Sequence, residues 1–231
     1  MPAKEKIIII VAGGKGERMG ANMPKQFLPL NGKPILMHTI EAFYTNNPAI
    51  RIIVVLPEMQ QAYWADLCIA HGFNIRHRVV SGGETRYHSV KNALALISPG
   101  SIVGIHDGVR PLIDQQVIRQ CFQAAETHPA VIPVIPLSDS IREIGQTEQQ
   151  SRPVDRQRYR LVQTPQVFQS DILLQAYEAP YNPQFTDDAS VVGQISDIHL
   201  VAGNKENIKI TTREDLIIAE ALLAQPAKCR T

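Results

Sequence analysis

Short apolar runs alternate along the chain with longer stretches in which apolar residues recur at helical spacing. The first run holds five β-branched residues, Ile7–Val11, and similar runs follow at Arg51–Leu56, Ile75–Val80, Ser101–Ile105 and Ala130–Ile135. Runs of this length and composition are typical of buried strands. Because strands that alternate with helices form right-handed β-α-β units, the pattern predicts an α/β fold with a mostly parallel sheet and helices on both faces.

The stretches between the runs each carry one apolar face. The segment after Pro34 has apolar residues at positions that line one side of a helix. These are Leu36, Met37, Ile40, Phe43 and Tyr44. Two later helices carry Met59, Tyr63, Trp64 and Leu67, and Val117, Ile118, Cys121, Phe122 and Ala125. We expect each of these faces to pack on the sheet.

The alternation stops at Pro136. Between residues 138 and 160 the chain has no helical period and many polar residues, including several arginines close to Asp155. The arginines are Arg152, Arg156, Arg158 and Arg160. This composition predicts an extended β-hairpin arm that projects from the domain rather than a further part of the core.

Beyond the arm the pattern of strands and helices returns. It predicts a helix near Asp171–Glu178, a helix capped by Thr186, strands at His199–Ala202 and Asn207–Thr211, and a last helix at Arg213–Leu223. Thr212 and Asp215 have the spacing of a capping box that opens the last helix.

Composition narrows the possible classes of protein. Of the 231 residues, 44% are hydrophobic and 19% are charged, which is ordinary for a globular protein. The length suits one domain, and we predict a single domain over residues 1–231. The net charge of +1 argues against a nucleic-acid binder, but Met1–Lys33 holds six Lys and Arg against two Glu, which predicts a small anionic partner. The three cysteines are far apart and no apolar run could span a membrane, so we expect no disulfide, no zinc site, no membrane partner and a cytoplasmic location.

A glycine-rich loop follows the first strand. Gly13, Gly14 and Gly16 bring backbone N–H groups close to a ligand, and Lys15, Arg18 and Lys25 add positive charge, so the loop predicts a phosphate cradle. The spacing to Gly20 does not match the dinucleotide fingerprint, and Pro34 after Gly32-Lys33 excludes a P-loop. The remaining pattern, A-G-G-x-G-x-R-M-x(4)-P-K-Q, resembles nucleotidyltransferases that join a nucleoside triphosphate to a sugar or polyol phosphate. A glycine turn with solvated cations is the alternative.

Ligands of open α/β sheets bind at the carboxyl ends of the strands, so the loops after the first, third and fourth strands should converge. The third-strand loop offers backbone at Gly82 and Gly83 and a hydroxyl at Ser89, and the fourth-strand loop is His106–Pro111. Asp107 is a hard carboxylate suited to Mg²⁺ or its waters, although it could instead be a turn residue paired with Arg110. Arg86 could be only a cation at a helix start.

In these loops and in several later motifs, the chain resembles the 2-C-methyl-D-erythritol 4-phosphate cytidylyltransferases of non-mevalonate isoprenoid synthesis. The resemblance extends over nearly the whole chain. The later motifs are Asp139-Ser140, Val154–Arg156, Thr164–Gln166, Thr186–Ser190 and Asn207–Thr211. The resemblance implies a Rossmann-like fold and transfer of CMP from CTP to a polyol phosphate with Mg²⁺. It also implies a homodimer in which the arm, at about 138–160, reaches the neighbouring subunit.

The resemblance also implies residue roles. Arg18 and Lys25 match the transition-state cations, and Arg156 and Lys209 match the residues that hold the attacking phosphate. Positions around cytosine and ribose are matched by Ala12, Gly13, Gly83, Glu84 and Ser89, and the acceptor pocket by Ser140 and Thr164. The predicted binding set is completed by Gly14, Lys15, Gly16, Arg86, Asp107, Arg110 and Asp187, with Asp107 also the predicted metal ligand. The family often has Ala where this chain has Gly13, and Thr where it has Ser140.

Three other functions stay open at this point. A ribitol-5-phosphate cytidylyltransferase shares the chemistry and the first and fourth loops, although Asp155-Arg156 and the Thr186–Ser190 motif favour methylerythritol phosphate. An NAD-dependent dehydrogenase and a non-catalytic nucleotide-binding regulator are more remote. The full set of predicted cations argues against the regulator.

Overall fold

The computed structural model describes residues 4–14, 23–147 and 149–224. The strands are β1 (Lys6–Val11), β2 (Pro29–Leu30), β3 (Lys33–Pro34), β4 (Arg51–Leu56), β5 (Arg78–Ser81), β6 (Ile102–Asp107), β7 (Ala130–Pro136), β8 (Ile141–Ile144), β9 (Ser151–Val154), β10 (Arg160–Val162), β11 (Gln166–Gln169) and β12 (His199–Ala202). The helices are α1 (Ile35–Asn46), α2 (Glu58–Ala70), α3 (Arg86–Leu94), α4 (Gln115–Ala124), α5 (Ser170–Ala176), α6 (Asp188–Val192) and α7 (Arg213–Ala224).

One large sheet forms the centre of the fold. Its strands follow the order β7, β11, β6, β1, β4 and β5, and β10 and β12 also pair with β7. Strands β6, β1, β4 and β5 are parallel to one another, and β12 is parallel to β7, whereas β10 and β11 run antiparallel to their neighbours. The predicted mostly parallel sheet is confirmed.

Helices cover both faces of this sheet, as predicted. Successive residues of a strand point to opposite faces. Ile8 and Ile10 pack with residues of α1, α2 and α4, whereas Ile7 and Ile9 pack with residues of α3, α5 and α6. All four isoleucines are completely buried, and β6, the neighbour of β1 in the sheet, is buried along its whole length, so these two strands form the centre of the core.

Two predicted elements of the first half differ from the structure. The third strand begins at Arg78 rather than Ile75, because His77 Nδ1 donates to the carbonyl of Ile75 and His77 Nε2 accepts from Trp64, which ties this segment to α2 instead of β4. In α2 only Trp64 is buried, and Met59 lies in solvent rather than on the sheet.

The predicted hairpin is present. Strands β8 and β9 form a two-stranded antiparallel sheet that is separate from the central one, with Ile141 opposite Val154 and Ile144 opposite Ser151. Three of the four residues of β8 and two of the four residues of β9 are exposed, and none of the eight is buried. The hairpin therefore projects from the central sheet.

The end of the chain brings two corrections and one confirmation. Asp187, not Thr186, caps α6, because its carboxylate accepts from the N–H of Ser190 in a capping box. The segment 207–211 is not a strand, since it pairs with no strand of the described residues: the N–H of Ile210 donates to the carbonyl of Val109 in a loop, and the N–H of Thr211 donates to Asp215. The predicted capping box of the last helix is confirmed: Thr212 N–H donates to Asp215, and Asp215 N–H donates to Thr212 Oγ1.

The described residues contain no helix that is long and apolar enough to cross a bilayer. Of the three cysteines, Cys68 and Cys121 are free thiols, and Cys229 lies outside the described residues. Burial raises the pKa of Cys121 to about 12, so this thiol stays protonated and acts as a small apolar core residue.

Candidate active site

A cleft of about 220 Å³ lies at the carboxyl ends of β1, β5 and β6. The structure brings together there the loops that follow these three strands and the segment before α7. The lining residues are Val11, Ala12, Gly13, Gly14, Lys25, Gln26, Gly83, Glu84, Thr85, Arg86, Ser89, Asp107, Val109 and Lys209. Lys15, Gly16 and Arg18, which were predicted to belong to the same site, lie outside the described residues.

Lys25 lies against the glycine loop. A Cβ atom placed on Gly14 would be 3.2 Å from Lys25 Cε and 3.7 Å from Nζ, so the missing side chain lets the ammonium group approach the loop. Neither Gly13 nor Gly14 has a positive φ angle, so close approach of Lys25 rather than a left-handed turn explains glycine at position 14.

Gln26 fixes the position of Lys25. Both residues belong to a 3₁₀ turn, Lys25–Phe27, in which Gln26 and Phe27 are buried. The Gln26 side-chain Nε2 donates to the carbonyl of Ala12 at 2.7 Å and to Gln60 Oε1 at 2.7 Å. The turn that carries Lys25 is therefore bonded both to the first loop and to α2.

The first and third loops meet at Ser89. Its Oγ accepts from the N–H of Gly83 at 3.0 Å and lies 4.0 Å from a Cβ atom built on Gly13. A Cβ on Gly83 would come within 2.5 Å of His88 Cβ, so only glycine fits there. Glu84 is exposed beside them on the cleft wall, which places backbone groups and one carboxylate together on this side.

Asp107 lies at the centre of a cluster of cations. Its Oδ2 is 3.0 Å from Lys209 Nζ and 3.2 Å from Arg110 Nε, and its Oδ1 is 3.6 Å from Arg86 Nε. Burial opposes ionisation, but Arg86, Lys209 and Arg110 outweigh it and hold the pKa of Asp107 well below its usual range. The carboxylate is thus ionised at any physiological pH.

Arg86 is bound to a second, completely buried carboxylate. Its two terminal nitrogens donate to Asp188 Oδ1 at 2.8 Å and Oδ2 at 2.7 Å, and Tyr177 donates its hydroxyl to Oδ1 at 2.7 Å. Burial opposes the charge of Arg86, but Asp188 and Asp107 outweigh it and raise the pKa of the guanidinium. The arginine is permanently charged and its fork is directed at Asp188.

A chain of hydrogen bonds supports Asp107 from behind. Its N–H donates to Thr164 Oγ1 at 3.2 Å, and Thr164 Oγ1 lies 3.0 Å from His106 Nδ1. His106 Nε2 lies 3.0 Å from the carbonyl of Arg110, which requires the proton on Nε2 and leaves Nδ1 to accept from Thr164. Burial lowers the pKa of His106 to about 4, so the ring is neutral.

Lys209 is positioned by the residues around it in space rather than by a strand. Arg110 donates from a terminal nitrogen to the carbonyl of Asn207 at 2.7 Å, and Asn207 Nδ2 donates to the carbonyl of Thr164 at 2.8 Å. The N–H of Ile210 donates to the carbonyl of Val109 at 2.9 Å. These bonds hold both sides of Lys209 against the loop that carries Asp107.

Five predicted site residues do not line the cleft. Ser140 and Arg156 are exposed in the arm, where Arg156 donates to the carbonyl of Ser138. Asp187 caps α6 and also accepts from Gln166 Nε2 at 2.7 Å. Thr164 and Arg110 stand behind Asp107 and support it.

Sequence reasoning missed Gln26, Tyr177, Asp188 and Asn207. Three of these residues, Gln26, Asp188 and Asn207, lie within the motifs named above, one or two positions from a residue with a predicted role. The adjacent pair Asp187-Asp188 shows the difficulty, because the sequence does not indicate which of the two carboxylates turns inward to Arg86.

The described side chains of the cleft offer few ligands for a metal ion. The described residues contain no group of three or more His, Cys, Asp or Glu side chains that could hold a metal ion. The described cleft lining has two carboxylates, Glu84 and Asp107, and the second already contacts three cations. Such a set fits Mg²⁺ that is held mainly by phosphate oxygens, which is its usual mode of binding beside nucleotides.

Comparison with known proteins gives a consistent result. The IspD family, described as 2-C-methyl-D-erythritol 4-phosphate cytidylyltransferase, matches residues 6–225. A protein of that name from Bacteroides fragilis is 56% identical over 216 residues, which is 93% of this chain and 98% of the relative. One from Porphyromonas gingivalis is 46% identical over 222 residues, covering 95% and 98%.

Solved structures match over the same length. A 4-diphosphocytidyl-2C-methyl-D-erythritol synthase from Anaerococcus prevotii superposes with a TM-score of 0.81 at 26% identity, covering 96% of this chain and 99% of the other. A 2-C-methyl-D-erythritol 4-phosphate cytidylyltransferase from Thermus thermophilus gives 0.74 at 29% identity, covering 95% and 98%. The matches in sequence and in fold thus both run nearly end to end.

Proposed function

Because the chain belongs to the 2-C-methyl-D-erythritol 4-phosphate cytidylyltransferase family, we propose that it transfers CMP from CTP to 2-C-methyl-D-erythritol 4-phosphate. The products are 4-diphosphocytidyl-2-C-methyl-D-erythritol and pyrophosphate, and the reaction serves non-mevalonate isoprenoid synthesis. One observation carries the assignment of the site: a single cleft holds Lys25 against the glycine loop and Lys209 against Asp107.

The reaction joins two anions, so the protein must place positive charge around both. An oxygen of the acceptor phosphate attacks the α-phosphorus of CTP, and the bond to the pyrophosphate oxygen breaks. Lys25 stabilises the charge that develops on the α-phosphate, and Lys209 holds the acceptor phosphate while its charge is balanced by Asp107. Arg18, outside the described residues, is proposed to act with Lys25.

The cytosine is proposed to bind where the first and third loops meet. Gly13, Gly83, Glu84 and Ser89 lie there, and most of what they offer is backbone N–H and C=O groups in fixed directions. Fixed donors and acceptors can distinguish the amino group of cytosine from the carbonyl of uracil. Ala12 supports this wall, because its N–H donates to Val55 and its carbonyl accepts from Gln26.

Mg²⁺ bound together with the triphosphate would neutralise charge on the leaving pyrophosphate. Asp107 is the carboxylate proposed to face it, through water, because both of its oxygens already contact cations. The described residues thus contribute orientation and charge balance, and the phosphate oxygens contribute most of the ligands.

The arm is proposed to complete the site of a neighbouring subunit in a homodimer. Ser140 and Arg156, which the family resemblance assigns to the acceptor, are exposed and do not line the cleft. Large apolar side chains in and beside the arm are also exposed, namely Ile144, Tyr159, Leu161 and Val162. A second copy of the chain would cover them. Residues 1–231 are proposed to act as one domain, and a cytoplasmic location stays a prediction from the sequence.

A pyrophosphate-release assay tests this function. Purified protein is given CTP and Mg²⁺ with methylerythritol phosphate or ribitol 5-phosphate, and UTP replaces CTP in a parallel series. We expect release with CTP and methylerythritol phosphate only. Each buried polar group left unpaired by uracil costs about 1–3 kcal/mol, so UTP should be much poorer. Preference for ribitol 5-phosphate would overturn the acceptor, and equal use of UTP would overturn the base assignment.

A further inference from the structure

Arg86 connects a carboxylate in the cleft to a carboxylate in the core. Its Nε faces Asp107 at 3.6 Å, and its two terminal nitrogens are both bonded to Asp188. The guanidinium fork, the part of an arginine that grips phosphate in two-point fashion, is therefore occupied by a protein carboxylate. This geometry does not suit the substrate-binding role that the sequence suggested for Arg86.

Asp188 has no access to any ligand. Its side chain is completely buried, and its partners are Arg86 and the hydroxyl of Tyr177. Tyr177 lies in the core with α3 and α5, where its ring stacks on Tyr87. Asp188 is also the first residue of α6, so the helix fixes its backbone. Any effect of Asp188 on catalysis must consequently pass through Arg86.

Asp188 is connected to Lys209 through Arg86 and Asp107. Arg86 contacts Oδ1 of Asp107, and Lys209 contacts Oδ2 of the same carboxylate. We propose that Asp188 and Arg86 are positioning residues, which hold Asp107 so that Lys209 presents its ammonium group to the acceptor phosphate. Asp188 cancels the charge that Arg86 would otherwise bring to the cleft, and Arg86 fixes the carboxylate to which Lys209 is bound. This inference rests on the proposed role of Lys209.

Loss of the ion pair between Asp188 and Arg86 is expected to weaken use of the acceptor more than use of CTP. Lys25 belongs to the turn that Gln26 bonds to the first loop and to α2, whereas Asp188 lies at the start of α6 and is bonded to Arg86, so the CTP side of the cleft should be little changed by loss of Asp188. Binding of the acceptor depends on Lys209, which is paired with Asp107, and should become weaker when Asp188 is lost. A purely structural role in α6 would instead lower the amount of folded enzyme and change both substrates alike.

Steady-state kinetics of the full-length protein test the proposal. Asp188→Asn should raise KM for the acceptor so that kcat/KM falls by about tenfold or more, while KM for CTP stays within about twofold. Tyr177→Phe keeps both charges and should give the same pattern more weakly, which preserves the test if Asp188→Asn folds poorly. Ser190→Ala is the matched control: it removes the capping hydroxyl of α6 without touching Arg86, and should leave both KM values unchanged.

A double mutant gives the decisive comparison. In a Lys209→Met background, Asp188→Asn should lower acceptor kcat/KM by less than about threefold further, because the two residues act along one path. Equal losses in both backgrounds, or equal changes in the CTP and acceptor constants, would overturn the proposal. Failure of the proposed function is distinguishable, because the wild-type protein would then release no pyrophosphate with CTP and methylerythritol phosphate.

Discussion

Lys209 Nζ lies 3.0 Å from Oδ2 of Asp107, at the point where the carboxyl end of β6 meets the segment before α7. The side chain of Lys209 is 44% exposed, so Lys209 can contact a ligand while it stays paired with a carboxylate side chain that is only 11% exposed. The ion pair orients a flexible side chain toward the cleft. A lysine held in this way is suited to binding a phosphate group from solvent.

Replacement of Lys209 by methionine should weaken binding of the acceptor more than binding of CTP. Methionine keeps most of the apolar stem but removes the charge. Because a hydrogen bond to a charged group contributes about 1.5–3 kcal/mol, acceptor kcat/KM should fall by about ten- to a hundredfold. Initial rates over a range of acceptor concentrations at saturating CTP measure this kcat/KM. A larger rise in KM for CTP than for the acceptor would contradict the assignment.

Lys25→Ala should chiefly lower kcat. The ammonium group lies against Gly14 in the loop proposed to hold the triphosphate, and its charge matters most when charge develops on the α-phosphate. We expect kcat to fall by at least about a hundredfold while the Kd for CTP changes by less than about tenfold. Titration of CTP by calorimetry, beside single-turnover rates, separates the two quantities.

Lys33→Ala is the control for Lys25→Ala. Lys33 is a nearby lysine, but it pairs with Glu41 of α1 and does not line the cleft. The Lys33→Ala substitution should therefore leave kcat unchanged. If Lys25→Ala instead raised KM for CTP steeply with little loss of kcat, Lys25 would be a ground-state ligand rather than a transition-state one.

His106 should make the fold sensitive to acid. Burial lowers its pKa from 6.5 to about 4, so the unfolded chain binds a proton more readily than the folded chain. The stability from neutral His106 is therefore fully present above pH 6.5 and lost as the pH falls toward about 4. At 1.36 kcal/mol for each pKa unit, the contribution lost between pH 7 and pH 4 is about 3 kcal/mol.

Urea unfolding at several pH values checks this expectation. His106→Gln should show a weaker fall in the free energy of unfolding between pH 6.5 and 4 than the wild-type protein, and the two curves should run parallel above pH 7. His38 contributes in the same direction, because burial also lowers its pKa, so the variant should keep part of the slope. Identical slopes in both proteins would show that folding does not lower the pKa of His106.

Local patterns predicted the sheet well because the signal for a buried strand lies within the strand itself. The runs at Ile7–Val11, Arg51–Leu56 and Ala130–Ile135 correspond closely to β1, β4 and β7. The segment 207–211 shows where this reasoning fails. Its alternating residues read as a strand, but the segment pairs with no strand in the part of the chain that the structure describes, and its backbone is bonded instead to Val109, Arg110 and Asp215.

The candidate site was predictable in its location more than in its contacts. Loops at the carboxyl ends of neighbouring parallel strands must lie together, so Gly13, Gly83 and Asp107 could be grouped from sequence order alone. The pairing of Arg86 with Asp188 depends on how α6 packs against α3, which no local pattern specifies. The same holds for Gln26, whose role follows from the distance to a carbonyl in another loop.

The arm carries Arg156, which does not line the cleft of its own chain. If Arg156 serves the neighbouring subunit, two inactive proteins should restore each other when mixed. Arg156→Ala protein with Lys25→Ala protein gives mixed dimers in which one cleft has its own Lys25 and receives Arg156 from the other chain. Random exchange makes about half of the dimers mixed, with one intact site in two, so activity should approach about a quarter of wild type.

The matched control mixes Lys25→Ala with Lys209→Met. Both residues line the cleft of one chain, so every site in such a mixed dimer lacks one of them and no activity should return. Subunit exchange is verified by native mass spectrometry of differently tagged chains. Recovery in the first mixture but not in the second means that the arm crosses between subunits. No recovery in either, with exchange complete, means that Arg156 acts in its own chain.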